Sequence, residues 1–176
     1  MKYKLKPYSR NIIFFDTEFS HMDPYKGEIL SIGLVKLNGK ELYLELEYDG
    51  PVSKWVKENI VPTLMDKKIS RISAIKEIEN FVGKKKPYAI SYVYSFDNVY
   101  LHKLFKSEKI EGLPFYWLPI DFASILFGMG INPEAYLADD KDNFLKTVGV
   151  DTTKFKHTHN ALDDAKLLRE VYLKMI

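Results

Sequence analysis

Asp16 and Glu18 stand two residues apart at the end of an apolar run, Ile12-Ile13-Phe14-Phe15-Asp16-Thr17-Glu18-Phe19. Side chains alternate across a strand, so Ile12, Phe14, Asp16 and Glu18 share one face. Two like charges on neighbouring positions of a buried strand are costly unless a cation neutralises them. Alone, the pair also fits a strand end with both acids in water. A second cluster reads His157-Thr158-His159-Asn160-Ala161-Leu162-Asp163-Asp164-Ala165. Asn160 suits the N-cap of a helix. Counting by three and four then places Ala161, Asp164, Ala165, Leu168, Tyr172 and Met175 on one core-facing stripe. Asp163 falls on the solvated stripe with Lys166, Glu170 and Lys174, where a first-turn acid favours the helix dipole. Asp164 points inward, and an inward carboxylate needs a reason. Asp97 opens another helix directly after a strand, with Leu101, Leu104 and Phe105 on its face. An N-cap aspartate fits Asp97 equally well, and the two roles are compatible.

Four carboxylates from three segments, with a histidine just before the last, fit a two-metal hydrolytic site. Hard divalent cations such as Mg²⁺ and Mn²⁺ prefer carboxylate oxygen. Two such ions roughly 4 Å apart stabilise both the attacking and the leaving oxygen at a phosphodiester. A histidine near its ordinary pKa of about 6.5 can take the proton of the attacking water. His159, five residues before Asp164, is the candidate base, and His157 is a rival by proximity. The pattern suggests no carboxylate partner for His21 or His102. Asp121 also follows a strand, but nothing else points to it, and it reads as a helix cap.

The elements that must position these residues follow from periodicity. Strands are predicted at 11–19, 28–38 and 40–48, with Asn38-Gly39 as a hairpin signal between the last two, and again at 87–96 and 115–120. Helices are predicted at 53–64, at 70–81 with Ile72, Ile75, Ile78 and Val82 at helical spacing, and at 97–107. Others follow Asp121 and cover 142–148 and 160–175. A three-strand meander followed by alternating helix and strand implies an α/β fold. Its mixed five-stranded sheet has three antiparallel strands, two parallel strands and flanking helices. One domain over residues 1–176 is the natural count for this length.

Composition narrows the chemistry. The chain has 176 residues, 26 Lys+Arg against 24 Asp+Glu, and no cysteine. A disulfide scaffold, a thiol nucleophile and a thiolate zinc site are therefore excluded. No apolar run approaches the roughly 20 residues that cross a membrane. The basic stretch Lys2 to Lys6 is followed only by Ile12 to Phe15, too short for the apolar core of a signal peptide. The expectation is a cytoplasmic protein with no membrane partner. Arginine occurs only at 10, 71 and 169, so the basic surface is lysine, which suits sequence-tolerant backbone contact. If two divalent cations cancel the four carboxylates, the net charge moves from +2 to about +6 by simple counting.

Taken together, Asp16-x-Glu18, Asp97 and His159-x-x-x-x-Asp164 resemble the DEDDh exonucleases: the proofreading exonucleases, oligoribonuclease and RNase T. The resemblance covers nearly the whole chain. It implies a ribonuclease H-like fold and 3′→5′ removal of nucleotide monophosphates with two Mg²⁺ or Mn²⁺ ions. By motif position it implies that Asp16, Glu18 and Asp164 hold the first metal. Asp16 then bridges to the second, which Asp97 holds largely through water. It further implies that Glu18 and the backbone near Thr17 meet the terminal 3′-hydroxyl, with His159 as general base. Many members carry an asparagine four residues before the second aspartate; here Val93 stands there, a departure from the proofreading and oligoribonuclease subgroups.

The chain is more similar to the adenylate-specific RNase AS branch. The likeness lies in Phe15-Asp16-Thr17-Glu18-Phe19, in Leu30-Ser31-Ile32-Gly33, and in a helix running from Trp55-Val56 to Pro62-x-Leu64. That branch implies single-stranded RNA 3′ ends, adenylate tails in particular, and a homodimer. Phe19, Tyr25 and Tyr94 lie near the motifs and are candidates to stack a terminal base. Lys154, Lys156 and His157 are candidates for backbone phosphates, whereas Lys84-Lys85-Lys86 reads as a solvated turn on the far side of the sheet. The alternatives are a DNA-trimming exonuclease of the same fold and a non-catalytic nucleic-acid-binding module. Retention of all five motif positions speaks against the module.

Overall fold

The computed structural model describes residues 4–137, 141–155 and 157–176. Strands β1 (Ile12–Phe19), β2 (Ile29–Lys36) and β3 (Glu41–Glu45) form an antiparallel meander, with Gly39 at positive φ in the second turn. Helix α1 (Lys54–Asn59), a 3-10 turn (Val61–Thr63) and helix α2 (Arg71–Val82) follow. The chain then runs through β4 (Tyr88–Ser91), α3 (Tyr94–Ser107), β5 (Ile120–Asp121) and α4 (Phe122–Gly128). Helices α5 (Glu134–Leu137), α6 (Lys141–Val148) and α7 (Ala161–Met175) complete the order. The sheet order is β3-β2-β1-β4-β5, and β4 is parallel to both β1 and β5. This is the mixed five-stranded sheet expected of a ribonuclease H-like fold.

β1 is central and buried on both faces. Ile13 and Phe15 pack among Ile75, Ile78, Leu101 and Leu104 of α2 and α3. Ile12 and Phe14 pack on the other face, among Leu168, Val171 and Tyr172 of α7 and Phe122 of α4. Asp16 and Glu18 continue this second face as the strand leaves the core. The α7 stripe is as its spacing predicts: Ala161, Asp164, Ala165, Leu168, Tyr172 and Met175 are buried and Asp163 is exposed. Asn160 caps that helix, its side chain accepting from the Leu162 and Asp163 N–H groups.

Several boundaries depart from the periodicity. The fourth strand ends at Ser91, not Phe96, and α3 begins at Tyr94. Asp97 is therefore inside the first helical turn and is not the N-cap; Val93 holds that position at φ 54°. The early turn is anchored from outside the segment, where the Tyr94 N–H donates to Asp121 Oδ1 at 3.0 Å. Asp121 also caps α4, accepting from the Ser124 N–H at 2.9 Å. β5 is only two residues long, flanked on its approach by Pro114 and Pro119, which cannot donate to a ladder. Pro62 likewise turns the end of the 53–64 helix into a 3-10 turn. Ile72 is 39% exposed, and Ala74 takes its place on the buried stripe of α2.

Candidate active site

Asp164 reaches the sheet because of a glycine. Gly33 on β2 sits opposite Asp16 in the antiparallel register. A Cβ there would overlap the Ala161 carbonyl and the Leu162 Cα. The bare backbone lets the first turn of α7 lie directly on β2, over the strand face that carries Asp16 and Glu18. One carboxylate oxygen each from Asp16, Glu18 and Asp164 then lie within 4.8 Å of one another.

Asp97 enters from the β4 side. The parallel β1–β4 ladder runs only from Ile12 to Phe14. Beyond it, Asp97 supplies the missing acceptor: its Oδ1 takes the Thr17 N–H at 3.0 Å and the Thr17 hydroxyl at 2.7 Å. Asp97 is 4% exposed and therefore cannot rely on water for its charge. Thr17 thus faces Asp97 through backbone and side chain, while Asp16 and Glu18 on either side face α7.

All four carboxylates line one cleft of about 420 Å³ together with Thr17, Phe19 and His159. No lysine or arginine lines it among the described residues. The carboxyls respond accordingly. Asp16 is pushed well above the usual carboxylate range, by burial first and then by the charges of Asp97, Asp164 and Glu18. Burial, then Asp164 and Asp97, raise Glu18 to about 8. Burial raises Asp97 to about 7 against the lowering effect of its Thr17 hydrogen bonds. Such a set is at odds with itself unless positive charge enters. Oxygen-only donors with several negative charges suit hard divalent cations, so these residues fit Mg²⁺ or Mn²⁺.

The histidines stand at the mouth of α7. His159 adopts φ 55°, and its carbonyl accepts from the Thr63 hydroxyl at 2.9 Å. Its ring meets Trp55 edge-on, with centroids 5.1 Å apart, and lies 4.3 Å from the ring of His157. His157 Nδ1 lies 2.8 Å from Asp164 Oδ2, and the Thr158 N–H donates to Asp164 Oδ1 at 3.0 Å. His159 and His157 are therefore both in the cleft, and His157 lies against Asp164.

The aromatic candidates separate. Phe19 lines the cleft and is held by a parallel stack on Tyr100, centroids 4.2 Å apart. Tyr94 is a core residue packed edge-on against Phe15, and Tyr25 is 95% exposed in the loop after β1. Lys154 pairs with Asp151 at 3.4 Å, and Lys156 lies outside the described residues. Lys84, Lys85 and Lys86 are exposed just before β4, at the end of the strand away from Asp97.

Cleft residues that spacing did not single out are Trp55, Met22, Phe96, Tyr92 and Tyr136. Tyr92 and Tyr136 stack on each other at 4.1 Å, and the Asp164 and Asp16 charges add to burial in raising the Tyr136 phenol. Trp55 carried a signal, its place at the head of the Trp55-Val56 to Pro62-x-Leu64 motif; Tyr136, in a four-residue helix, carried none.

No protein-family model matches the chain, and no curated protein matches its sequence. Solved structures do match its fold. One is the nuclease domain of 3′hExo, a DEDDh family member, bound to rAMP: 14% identity, TM-score 0.66, 93% of this chain and 90% of that one. Another is the zinc-bound E. coli exonuclease I complex with single-stranded DNA, at 12% identity and TM-score 0.67. It matches over 93% of this chain but only 39% of the exonuclease I chain. A third is a 3′-exonuclease that recognises the histone mRNA stem-loop, at 14% identity and TM-score 0.63, over 93% of this chain and 62% of that one. The shared feature is the fold.

Proposed function

We propose that the chain is a metal-dependent 3′→5′ exoribonuclease, one catalytic domain that prefers adenylate 3′ tails. The observation that carries this reading is the convergence of Asp16, Glu18, Asp97 and Asp164, with His159, on one cleft that no lysine or arginine among the described residues neutralises. In this reading Asp16, Glu18 and Asp164 hold one divalent cation, and Asp16 with Asp97 holds a second. When bound, Mg²⁺ or Mn²⁺ polarises the scissile phosphate, acidifies the attacking water and stabilises the leaving oxygen.

The chain's own residues do the rest. Glu18 and the backbone near Thr17 receive the terminal 3′-hydroxyl, and Phe19, braced by Tyr100, packs against the terminal base. His159 takes a proton as the water oxygen bonds to phosphorus. The bond from phosphorus to the 3′-oxygen of the preceding nucleotide breaks, and that oxygen gains a proton from solvent water. The products are a nucleotide 5′-monophosphate and a strand one residue shorter with a free 3′-hydroxyl. Trp55 braces the His159 ring, and Thr63 holds its backbone.

Both RNA and DNA appear among proteins of this fold: the 3′hExo structure holds rAMP, a 3′-exonuclease recognises the histone mRNA stem-loop, and the exonuclease I structure holds single-stranded DNA. A DNA-trimming activity is the second reading, favoured by the equally good match to exonuclease I. A homodimer and a cytoplasmic setting accompany the RNase AS-like reading. Matched 5′-labelled RNA and DNA homopolymers with Mg²⁺ or Mn²⁺ test the proposal. A ladder shortening from the 3′ end, fastest on oligoadenylate RNA, is expected; faster loss of DNA would replace it with the second reading.

A further inference from the structure

Asp164 belongs to two groups of ligand atoms. One is the all-oxygen set with Asp16 and Glu18; the other joins it to both imidazoles, His157 and His159, with one ligand atom from each within 4.8 Å of the others. The donor types differ, and so do the ions they suit. Oxygen-only sites take Mg²⁺ and Mn²⁺, whereas imidazole nitrogen with a carboxylate suits Zn²⁺ and its transition-metal neighbours.

We propose that His157, His159 and Asp164 form a binding site for a borderline divalent transition metal, Zn²⁺ in particular, distinct from the oxygen set and in competition with it for Asp164. His157 Nδ1 already touches Asp164 Oδ2 at 2.8 Å. The Thr158 N–H holds the other oxygen, Oδ1, and so turns Oδ2 toward the imidazoles. Ligand atoms around tetrahedral zinc sit at about 2.0–2.2 Å from the metal, so the set closes by small movements of side chains. His157 is on a loop and 24% exposed at its side chain, which leaves it free to make that movement. Three protein ligands leave a fourth position for water. The remaining histidines do not compete: His21 Nδ1 accepts from the Asp23 N–H at 2.9 Å, and His102 is exposed on α3.

The consequence for activity rests on the exonuclease reading. Zinc here occupies Asp164, which the oxygen set needs, and the ring proposed as general base. Zinc therefore inhibits cleavage supported by Mg²⁺ or Mn²⁺, and it does so through His157.

The test titrates Zn²⁺ into the metal-free chain by calorimetry, with Co²⁺ absorption as the report of coordination. The wild type should bind one Zn²⁺ and give the intense low-symmetry Co²⁺ bands of a nitrogen-containing site. His157→Gln, at a partly exposed position, should weaken zinc binding at least about tenfold and lose those bands. Asp16→Asn should leave zinc binding within about twofold and instead weaken Mn²⁺ binding. Unchanged zinc affinity in His157→Gln, or a zinc loss in Asp16→Asn as large as the Mn²⁺ loss, would overturn the site. A chain that binds zinc as expected yet cuts no nucleic acid would support the site and contradict the exonuclease reading.

Discussion

Two regions bring their side chains to one cleft by different means. Asp16 and Glu18 sit on the central strand, where register with β2 and two buried faces leave their positions no freedom. His157 and His159 sit on the loop before α7, where Thr63 meets the His159 carbonyl, Trp55 its ring, Asp164 the His157 ring, and the two imidazoles each other. The strand holds acids where their charges destabilise the fold; the loop holds bases where their loss harms little but chemistry. Disturbing the strand should change stability and Mn²⁺ binding together, and disturbing the loop should change rate and zinc binding while leaving stability and Mn²⁺ binding near wild type.

The largest separation is expected at His159→Ala. The rate should fall by about 10²–10⁴, the usual worth of a positioned general base, while the thermal midpoint and Mn²⁺ affinity stay near wild type. Loss of Mn²⁺ binding would make His159 a ligand and erase the distinction between the two regions. Gly33→Val attacks the strand side. The new side chain would meet the backbone of Ala161 and Leu162, and overpacking costs about 1–3 kcal/mol. Denaturant unfolding should show that loss, and Mn²⁺ affinity should fall with it because α7 no longer carries Asp164 onto β1.

A smaller effect sharpens the contrast without mutation. Glu18 and Asp97, raised to about 8 and about 7, bind their protons more tightly in the folded chain than in the unfolded one. The stability they contribute is complete below the ordinary carboxylate range of about 4 and is lost as pH rises through 7 to 8. Metal-free protein should therefore lose more than about 1.4 kcal/mol, the equivalent of one pKa unit, between pH 5 and about 8. Saturating Mn²⁺ should flatten that slope. A metal-free stability that rises over the same interval would contradict the electrostatic account of the cleft.

What could be read from the sequence divides along the same line. Periodic patterns carry their own geometry, so the alternation in β1 put Asp16 and Glu18 on one face and the stripe of α7 turned Asp164 inward. Asp97 is legible from its type and its place after a strand, but its position within the first helical turn is not. Its helix starts three residues earlier, because Asp121, distant in sequence, anchors the Tyr94 N–H and Val93 takes a left-handed conformation that β-branched residues rarely adopt. The contact of His157 with Asp164, and the arrival of Trp55 of α1 beside His159, depend on the path of the loop before α7, and loops have no period. Gly33 lies in the Leu30-Ser31-Ile32-Gly33 motif, but its role as the spot where α7 touches the sheet needs the third dimension.

The central claim, that the strand-borne carboxylates and the loop histidine make one hydrolytic centre, is tested most directly with Asp16→Asn. Wild type and variant should be compared on a 5′-labelled oligoadenylate RNA with saturating Mn²⁺, beside thermal unfolding without metal. The account predicts a 3′→5′ ladder for the wild type and at least about a thousandfold loss for the variant. The metal-free variant should also melt higher, because the cost of burying that carboxyl among three others has gone. Undiminished cleavage by Asp16→Asn would contradict the account.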